Sequence, residues 1–149
     1  MFGDILIVDD HEAIRRGLRT LLSSRPEWRI CGEATDGIQG VEKAKTLRPA
    51  VVLMDISMPR MDGLEATRIL RREAPECKIV IISQNASDIA RRQSEEVGAA
   101  AYVAKHDLAR ELIPTLDHWY PDEDRVTWEN ERPYAIFWPN ARARPHQRC

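Results

Sequence analysis

No part of this 149-residue sequence stays apolar for long. The longest uninterrupted run, Val97 to Ala104 counting Gly98, is eight residues, whereas a membrane-spanning helix needs roughly 20. A membrane span is excluded. The opening Met-Phe-Gly-Asp-Ile-Leu-Ile-Val-Asp-Asp has no basic lead and only four apolar residues before the aspartate pair, so it does not read as a secretory signal. Cysteine is scarce: Cys31, Cys77 and Cys149 are odd in number and match neither a zinc site nor a disulfide framework. A reducing cytoplasm is the expectation. The net charge of −2 argues against a chain built wholly for nucleic-acid binding. No internal repeat of solenoid period is present.

Glycine and aromatics are unevenly spread. Residues 1 to 118 hold all seven glycines and three aromatics, while the last 31 residues hold six aromatics, four prolines and no glycine or lysine. This contrast predicts a domain at 1–118 and an aromatic, proline-rich extension at 119–149 that is not an independent domain.

Within the first part, short apolar strings rich in β-branched residues alternate with helical patterns. The strings are Ile5 to Val8, Trp28 to Ala34, Val51 to Met54, Ile79 to Ile82 and Ala100 to Ala104. Between them, Ile14, Leu18, Leu21 and Leu22 share a helix face, as do Ile38, Val41 and Lys45, then Leu64, Thr67 and Leu70. A weaker pattern around Ser87 to Val97 offers Ile89, Ala90 and Val97, and a fifth uses Leu108, Leu112, Ile113 and Leu116. Strands that are apolar throughout are buried on both faces, which repeated strand–helix units achieve through parallel crossovers. The expected fold is a three-layer α/β domain whose ligands bind at the carboxyl ends of the strands.

Few residues occupy those ends: Asp9 and Asp10 after the first strand, Asp55 after the third, Ser83 after the fourth and Lys105 after the fifth. Read singly they have plain explanations; Asp10 could cap a helix and Ser83 could form a turn. Together they do not, because three carboxylates at one site repel one another unless a cation sits among them. Oxygen ligands of this kind suit Mg²⁺. The implied chemistry is phosphoryl transfer to a carboxylate, with metal and lysine neutralising the transferring oxygens and a hydroxyl binding one of them.

The segments "ILIVDDHEAIRRGL", "VVLMDISMPRMDGLEA", "IVIIS" and "GAAAYVAKHDL", in that order over about four fifths of the chain, resemble the receiver domain of bacterial two-component response regulators. They look most like receivers of the subfamily that carries a helix-turn-helix. The resemblance implies a chemotaxis-regulator-like, flavodoxin-like three-layer sandwich, with a five-stranded parallel sheet in the order 2-1-3-4-5 and five helices. It implies Asp55 as phosphoacceptor. Asp10, Asp55 and the backbone carbonyl of Ser57 would hold Mg²⁺, with Asp9 helping through water. Lys105 would pair with the phosphoryl group, Ser83 would close on it, and Tyr102 would turn inward as Ser83 moves. The implied partner is a histidine kinase or phosphotransfer protein, and the implied product a switched protein-interaction surface. The chain would then be no enzyme beyond its own phosphorylation and dephosphorylation.

Three positions depart from the pattern. His106 follows Lys105 where many receivers have a cis proline, which predicts a trans bond or a strained loop. Gln84 replaces a small residue after Ser83, predicting narrower access. Pro114 falls inside the fifth helix and should bend it. His11, His106, His118 and His146 lack helical metal-ligand spacing and read as surface residues.

The competing reading is a haloacid-dehalogenase-like phosphatase acting through an aspartyl-phosphate. That chemistry typically needs a second aspartate two residues after the nucleophile, where Ser57 stands. A flavin carrier on the same fold would need a phosphate loop that "DDHEA" opposes.

The last 31 residues are fewer than the roughly 60 of a helix-turn-helix module, so no direct nucleic-acid contact by this chain is expected. Prolines 121, 133, 139 and 145 forbid a long helix there. Arg125 to Trp128 and Tyr134 to Trp138 read as extended pieces, with Trp128, Phe137 and Trp138 docking on the domain or on a second copy. A homodimer through that extension, or through helix four, strand five and helix five, is the self-association to be expected. The closing "ARARPHQR" reads as a solvated end.

Overall fold

The structure is a computed structural model that describes residues 3–85, 87–120 and 136–138. The first strand, β1 (Gly3–Val8), is followed by α1 (Glu12–Leu22), β2 (Trp28–Ala34), α2 (Gly37–Leu47) and β3 (Val51–Asp55). Then come α3 (Gly63–Glu73), β4 (Lys78–Ser83), α4 (Asp88–Glu96), β5 (Ala101–Ala104), a 3₁₀ turn (Lys105–Asp107), α5 (Leu108–Trp119) and β6 (Ile136–Phe137). The five parallel strands take the order β2-β1-β3-β4-β5, as expected, and the two-residue β6 adds to the outer edge of β5 in antiparallel sense.

Alternate residues of each strand enter opposite layers. Leu6, Val8, Val52, Met54, Ile79 and Ile81 meet Val41 and Ala44 of α2, Ala66 and Leu70 of α3 and Ala90 of α4. Ile5, Ile7, Leu53, Val80, Ile82 and Val103 meet Leu18 and Leu22 of α1 and Leu108, Leu112 and Leu116 of α5. Both faces of the sheet are dry, which is why the strands read as unbroken apolar strings.

Two helix faces differ from expectation. On α2 the buried positions are Gly37, Gly40, Val41 and Ala44, and Ile38 is exposed. Small residues take that face because the helix lies close to the sheet: a Cβ at Gly40 would be 2.9 Å from the Val8 side chain. On α4, Ile89 is 68% exposed, and Ala90 and Ser94 are the buried residues. The α5 helix runs through Pro114, which lies on its exposed face. The carbonyl that the proline leaves unpaired one turn earlier can be met by water there. Beyond the expected boundary at 118, α5 ends at Trp119, and the Tyr120 ring packs edge-on against Trp28 at 5.0 Å.

The extended piece expected at Tyr134 to Trp138 is represented by β6 and Trp138, whose side chain packs against the α2–α3–α4 layer. Arg125 to Trp128, the Phe137 side chain, the prolines at 121, 133, 139 and 145, His146 and the closing basic segment lie outside what the structure describes.

The loop after β3 is clamped from two sides. Gly37 N–H donates to the Met61 carbonyl (3.0 Å), and Arg60, at φ +67°, reaches the buried Asp36 carboxylate at 2.7 Å. Gly63 N–H donates to the Ile56 carbonyl at 2.8 Å. A Cβ at Gly63 would lie 1.8 Å from the Asp55 carbonyl oxygen. That contact is with backbone and cannot swing aside. Gly63→Ala is therefore expected to cost about 3 kcal/mol of stability. Gly17→Ala, where nothing lies within 4 Å, should instead gain about 0.5–1 kcal/mol from helix propensity. Urea denaturation of the two variants checks this; similar midpoints would contradict the close approach.

Candidate functional site

Sheet register assembles the strand-end residues. Val8 pairs with Met54, so Asp9 emerges beside Asp55; Asp55 pairs with Ile82, which sets Ser83 one step beyond. Ser83 pairs with Ala104, which delivers Lys105 to the same edge. Four strands thus contribute one short sequence position each to a single cluster.

At its centre the Lys105 ammonium lies 2.9 Å from Asp9 Oδ2 and 3.3 Å from Asp55 Oδ1. All three side chains are almost fully buried. Replacing proline by His106 has not turned the lysine away: no cis peptide occurs among the described residues, and Lys105 opens the 3₁₀ turn. Asp55 Oδ2 is buried without a hydrogen-bond partner. Burial first, and then the Asp9 carboxylate, push Asp55 up to about 6, against the pull of Lys105.

Asp10 is a third carboxylate, about one third exposed, and it does not cap α1. The N-cap position belongs to His11, whose Nδ1 lies 3.1 Å from both Asp9 Oδ1 and Asp10 Oδ1. Asp9, Asp10, His11 and Asp55 each offer a ligand atom within 4.8 Å of the others. Two buried carboxylates and a third at the rim face one ammonium, which leaves an excess of negative charge. A hard, oxygen-preferring cation such as Mg²⁺ fits this donor set, and the unpartnered Asp55 Oδ2 is the group such an ion would satisfy. Ser57 is exposed in the turn after β3.

Ser83 is buried, and its Oγ accepts a hydrogen bond from Asn85 N–H at 3.0 Å. Tyr102 is buried too, with its hydroxyl donating to the Asn85 carbonyl. Asn85 therefore joins the two residues singled out on β4 and β5. Gln84, expected to narrow the approach, is exposed.

Three participants escaped the sequence reading. His11 lacks helical metal-ligand spacing and reads as a surface residue, yet its place directly after Asp9-Asp10 puts it at the site. Arg15, one turn further on, donates from Nη1 to the Asp9 carbonyl at 2.6 Å and from Nε to Glu33 at 3.1 Å, so it anchors the acidic turn to β2. Asn85 acts through backbone groups, which no side-chain pattern reveals.

Comparison with known proteins bears on the family and the fold. The profile of the family described as response regulator receiver domain matches residues 5–117. The transcriptional regulatory protein LiaR of Bacillus subtilis is 40% identical over 112 residues, covering 75% of this chain and 53% of LiaR. The chain thus spans about half the length of the curated relatives it matches. Among solved structures, a two-component response regulator of the LuxR family from Aurantimonas sp. superposes with a TM-score of 0.75 at 29% identity, covering 80% of this chain and 85% of that one. The response regulator domain of Thermotoga maritima CheB gives 0.73 at 26% identity, covering 79% and 96%.

The raised Asp55 carboxyl has a measurable consequence in metal-free protein. Its folded value of about 6 lies above the ordinary 3.8. Its contribution to stability is therefore complete below about pH 4 and is lost as pH rises through about 6. In chelator at pH 7.5, Asp55→Asn should be more stable than the parent by about 1–3 kcal/mol, with the two converging near pH 4. Urea unfolding at both pH values tests this; a pH-independent difference would mean that the site does not strain the charge.

Proposed function

The chain belongs to the response regulator receiver domain family, and from that premise we propose that it is a phosphorylation-operated switch with Asp55 as its phosphoacceptor. The carrying observation is Asp55 itself: a buried carboxylate with one oxygen on Lys105 and the other without a partner. At neutral pH a group titrating near 6 is mostly ionised and so nucleophilic.

In the reaction, an Asp55 oxygen forms a bond to phosphorus as the phosphorus–nitrogen bond of a phosphohistidine on a kinase or phosphotransfer protein breaks. The leaving imidazole takes up a proton. Lys105 neutralises the transferred oxygens, and the Ser83 hydroxyl binds one of them. Asp10, Asp55 and the carbonyl of Ser57 would hold Mg²⁺, with Asp9 assisting through water; the ion supplies charge neutralisation at the phosphoryl group. Moving Ser83 toward the phosphoryl group would give up its bond with Asn85 N–H, and Asn85 is also the partner of Tyr102. The surface formed by α4, β5 and α5 would change with it.

Hydrolysis of its own aspartyl-phosphate is the only turnover this reading includes. The phosphatase alternative has no support from the matched family or relatives, and Ser57 stands where its second aspartate belongs. Residues 1–118 act as the receiver and 119–149 as its extension, and the place of action is the cytoplasm. Among the described residues no helix is long and apolar enough to cross a membrane. LiaR is named as a transcriptional regulator, which sits against the expectation of no nucleic-acid contact; we retain that expectation for these 149 residues alone. Self-association through α4, β5 and α5 or through the extension belongs to the same reading.

The test is incubation with acetyl phosphate and Mg²⁺ followed by intact-mass measurement. The parent protein should gain one acid-labile phosphoryl group. Asp55→Asn should gain none, chelator should abolish labelling, and Lys105→Met should slow it at least about tenfold through loss of charge neutralisation. Labelling of Asp55→Asn would refute the assignment.

A further inference from the structure

The sequence Asp9-Asp10-His11 sets an imidazole directly behind the acidic pair, and the chemistry at Asp55 makes no use of it. His11 occupies the N-cap of α1, where a side chain ordinarily accepts a hydrogen bond from a free helix N–H. Its side chain makes no such bond. The ring turns instead to the cluster, with Nδ1 3.1 Å from Asp9 Oδ1 and 3.1 Å from Asp10 Oδ1. Helix capping therefore does not account for the residue.

Those two distances carry the argument. A proton on Nδ1 can be aimed well at only one of the two oxygens. A cation in its place satisfies all three atoms, because an octahedral ion with bonds near 2.1 Å holds adjacent ligand atoms about 3.0 Å apart. Asp55 gives an independent sign of such an ion: its side chain is almost fully buried, and Oδ2 has no hydrogen-bond partner. Asp9 is otherwise engaged, with Oδ2 on Lys105 and Oδ1 accepting from His11 N–H at 2.8 Å. The direct donors left to an ion are Asp10, Asp55 and the His11 nitrogen, and their ligand atoms lie within 4.8 Å of one another.

A nitrogen in that set changes which ion it suits. Carboxylate and water oxygens suit Mg²⁺, whereas imidazole adds most to the binding of divalent first-row transition metals. We propose that His11 is a nitrogen ligand of this cation site and sets its metal preference, drawing it from Mg²⁺ toward a divalent transition-metal ion such as Mn²⁺, Co²⁺ or Ni²⁺. The ring is half exposed and Asp10 one third exposed, so an ion reaches this side of the cluster from solvent. The proposal rests on the reading of the cluster as a cation site, and not on Asp55 as phosphoacceptor.

Isothermal titration of the full-length chain with Ni²⁺ and, separately, with Mg²⁺ tests it in the parent, His11→Ala, His11→Asn and Asp10→Asn. Asparagine is a good N-cap residue, so His11→Asn removes the nitrogen ligand while keeping α1 capped, and far-ultraviolet circular dichroism checks the fold. The parent should bind Ni²⁺ at least about 100-fold more tightly than Mg²⁺. Both His11 variants should lose at least about tenfold in Ni²⁺ affinity with less than about threefold change for Mg²⁺, and Asp10→Asn should weaken both ions. Pulsed electron paramagnetic resonance of the Mn²⁺-loaded parent should show a nitrogen coupling that disappears in His11→Asn. Equal losses for the two ions in the His11 variants, Ni²⁺ affinity unchanged by His11→Ala or by Asp10→Asn, or a Mn²⁺ spectrum without nitrogen coupling would each overturn the proposal. A parent that binds neither ion would overturn it together with the cation-site reading, while leaving labelling of Asp55 to be judged by mass.

Discussion

Lys105 between Asp9 and Asp55 is the interaction around which the domain is organised. Burying three charged groups is tolerated only when they neutralise one another, and here the sum is uneven: two buried carboxylates and a third at the rim meet one ammonium. Burial first, and then this unevenness, raise Asp55, and one of its carboxylate oxygens is left without a partner. The unevenness is also what makes the site useful, because a site balanced within itself would have no need of an incoming cation. The sheet supplies rigidity for this arrangement, since each participant leaves a strand whose register is set by an entire apolar layer on either face.

Much of this was legible in the residue order. Unbroken apolar strings revealed strands buried on both faces, and the residues immediately after them revealed the site. Failures came where the physics lies outside hydrophobic periodicity. The inner face of α2 sets Gly37 and Gly40 beside Val41 and Ala44, and the value of the glycines is close approach, Gly40 to Val8 of the sheet and Gly37 to the Met61 backbone, rather than apolar area. Of the anchors expected for α4, Ala90 and Val97 are buried, but Ile89 is exposed and Ser94 takes a buried place that no apolar pattern marks. His11 and Arg15 act through short-range geometry at the start of α1, where the Arg15 guanidinium reaches back six residues to the Asp9 carbonyl. The extended piece at Tyr134 to Trp138 was legible, but its pairing with β5 was not, because a two-residue partner has no periodicity.

The contacts beyond the acidic cluster suggest how its state reaches the surface. Ser83, Asn85 and Tyr102 form a hydrogen-bonded line from the end of β4 to the middle of β5. Tyr102 is also the residue whose backbone faces Ile136 and whose ring lies 6.0 Å from the Arg91 guanidinium on α4. One aromatic therefore touches the loop beside the chemistry, the fourth helix and the added strand.

The clamp on the loop after β3 has a practical consequence for anyone recombining domains of this kind. Met61, Arg60 and Gly63 are not held by their own segment alone; they lean on Asp36 and Gly37 at the start of α2 and on the carbonyl of Asp55 beneath. A chimera that transplanted residues 55–63 alone would import the buried Asp55 carboxylate without its scaffold. The smallest portable unit is the loop together with the Asp36-Gly37 corner, two pieces distant in sequence that must be inherited as one.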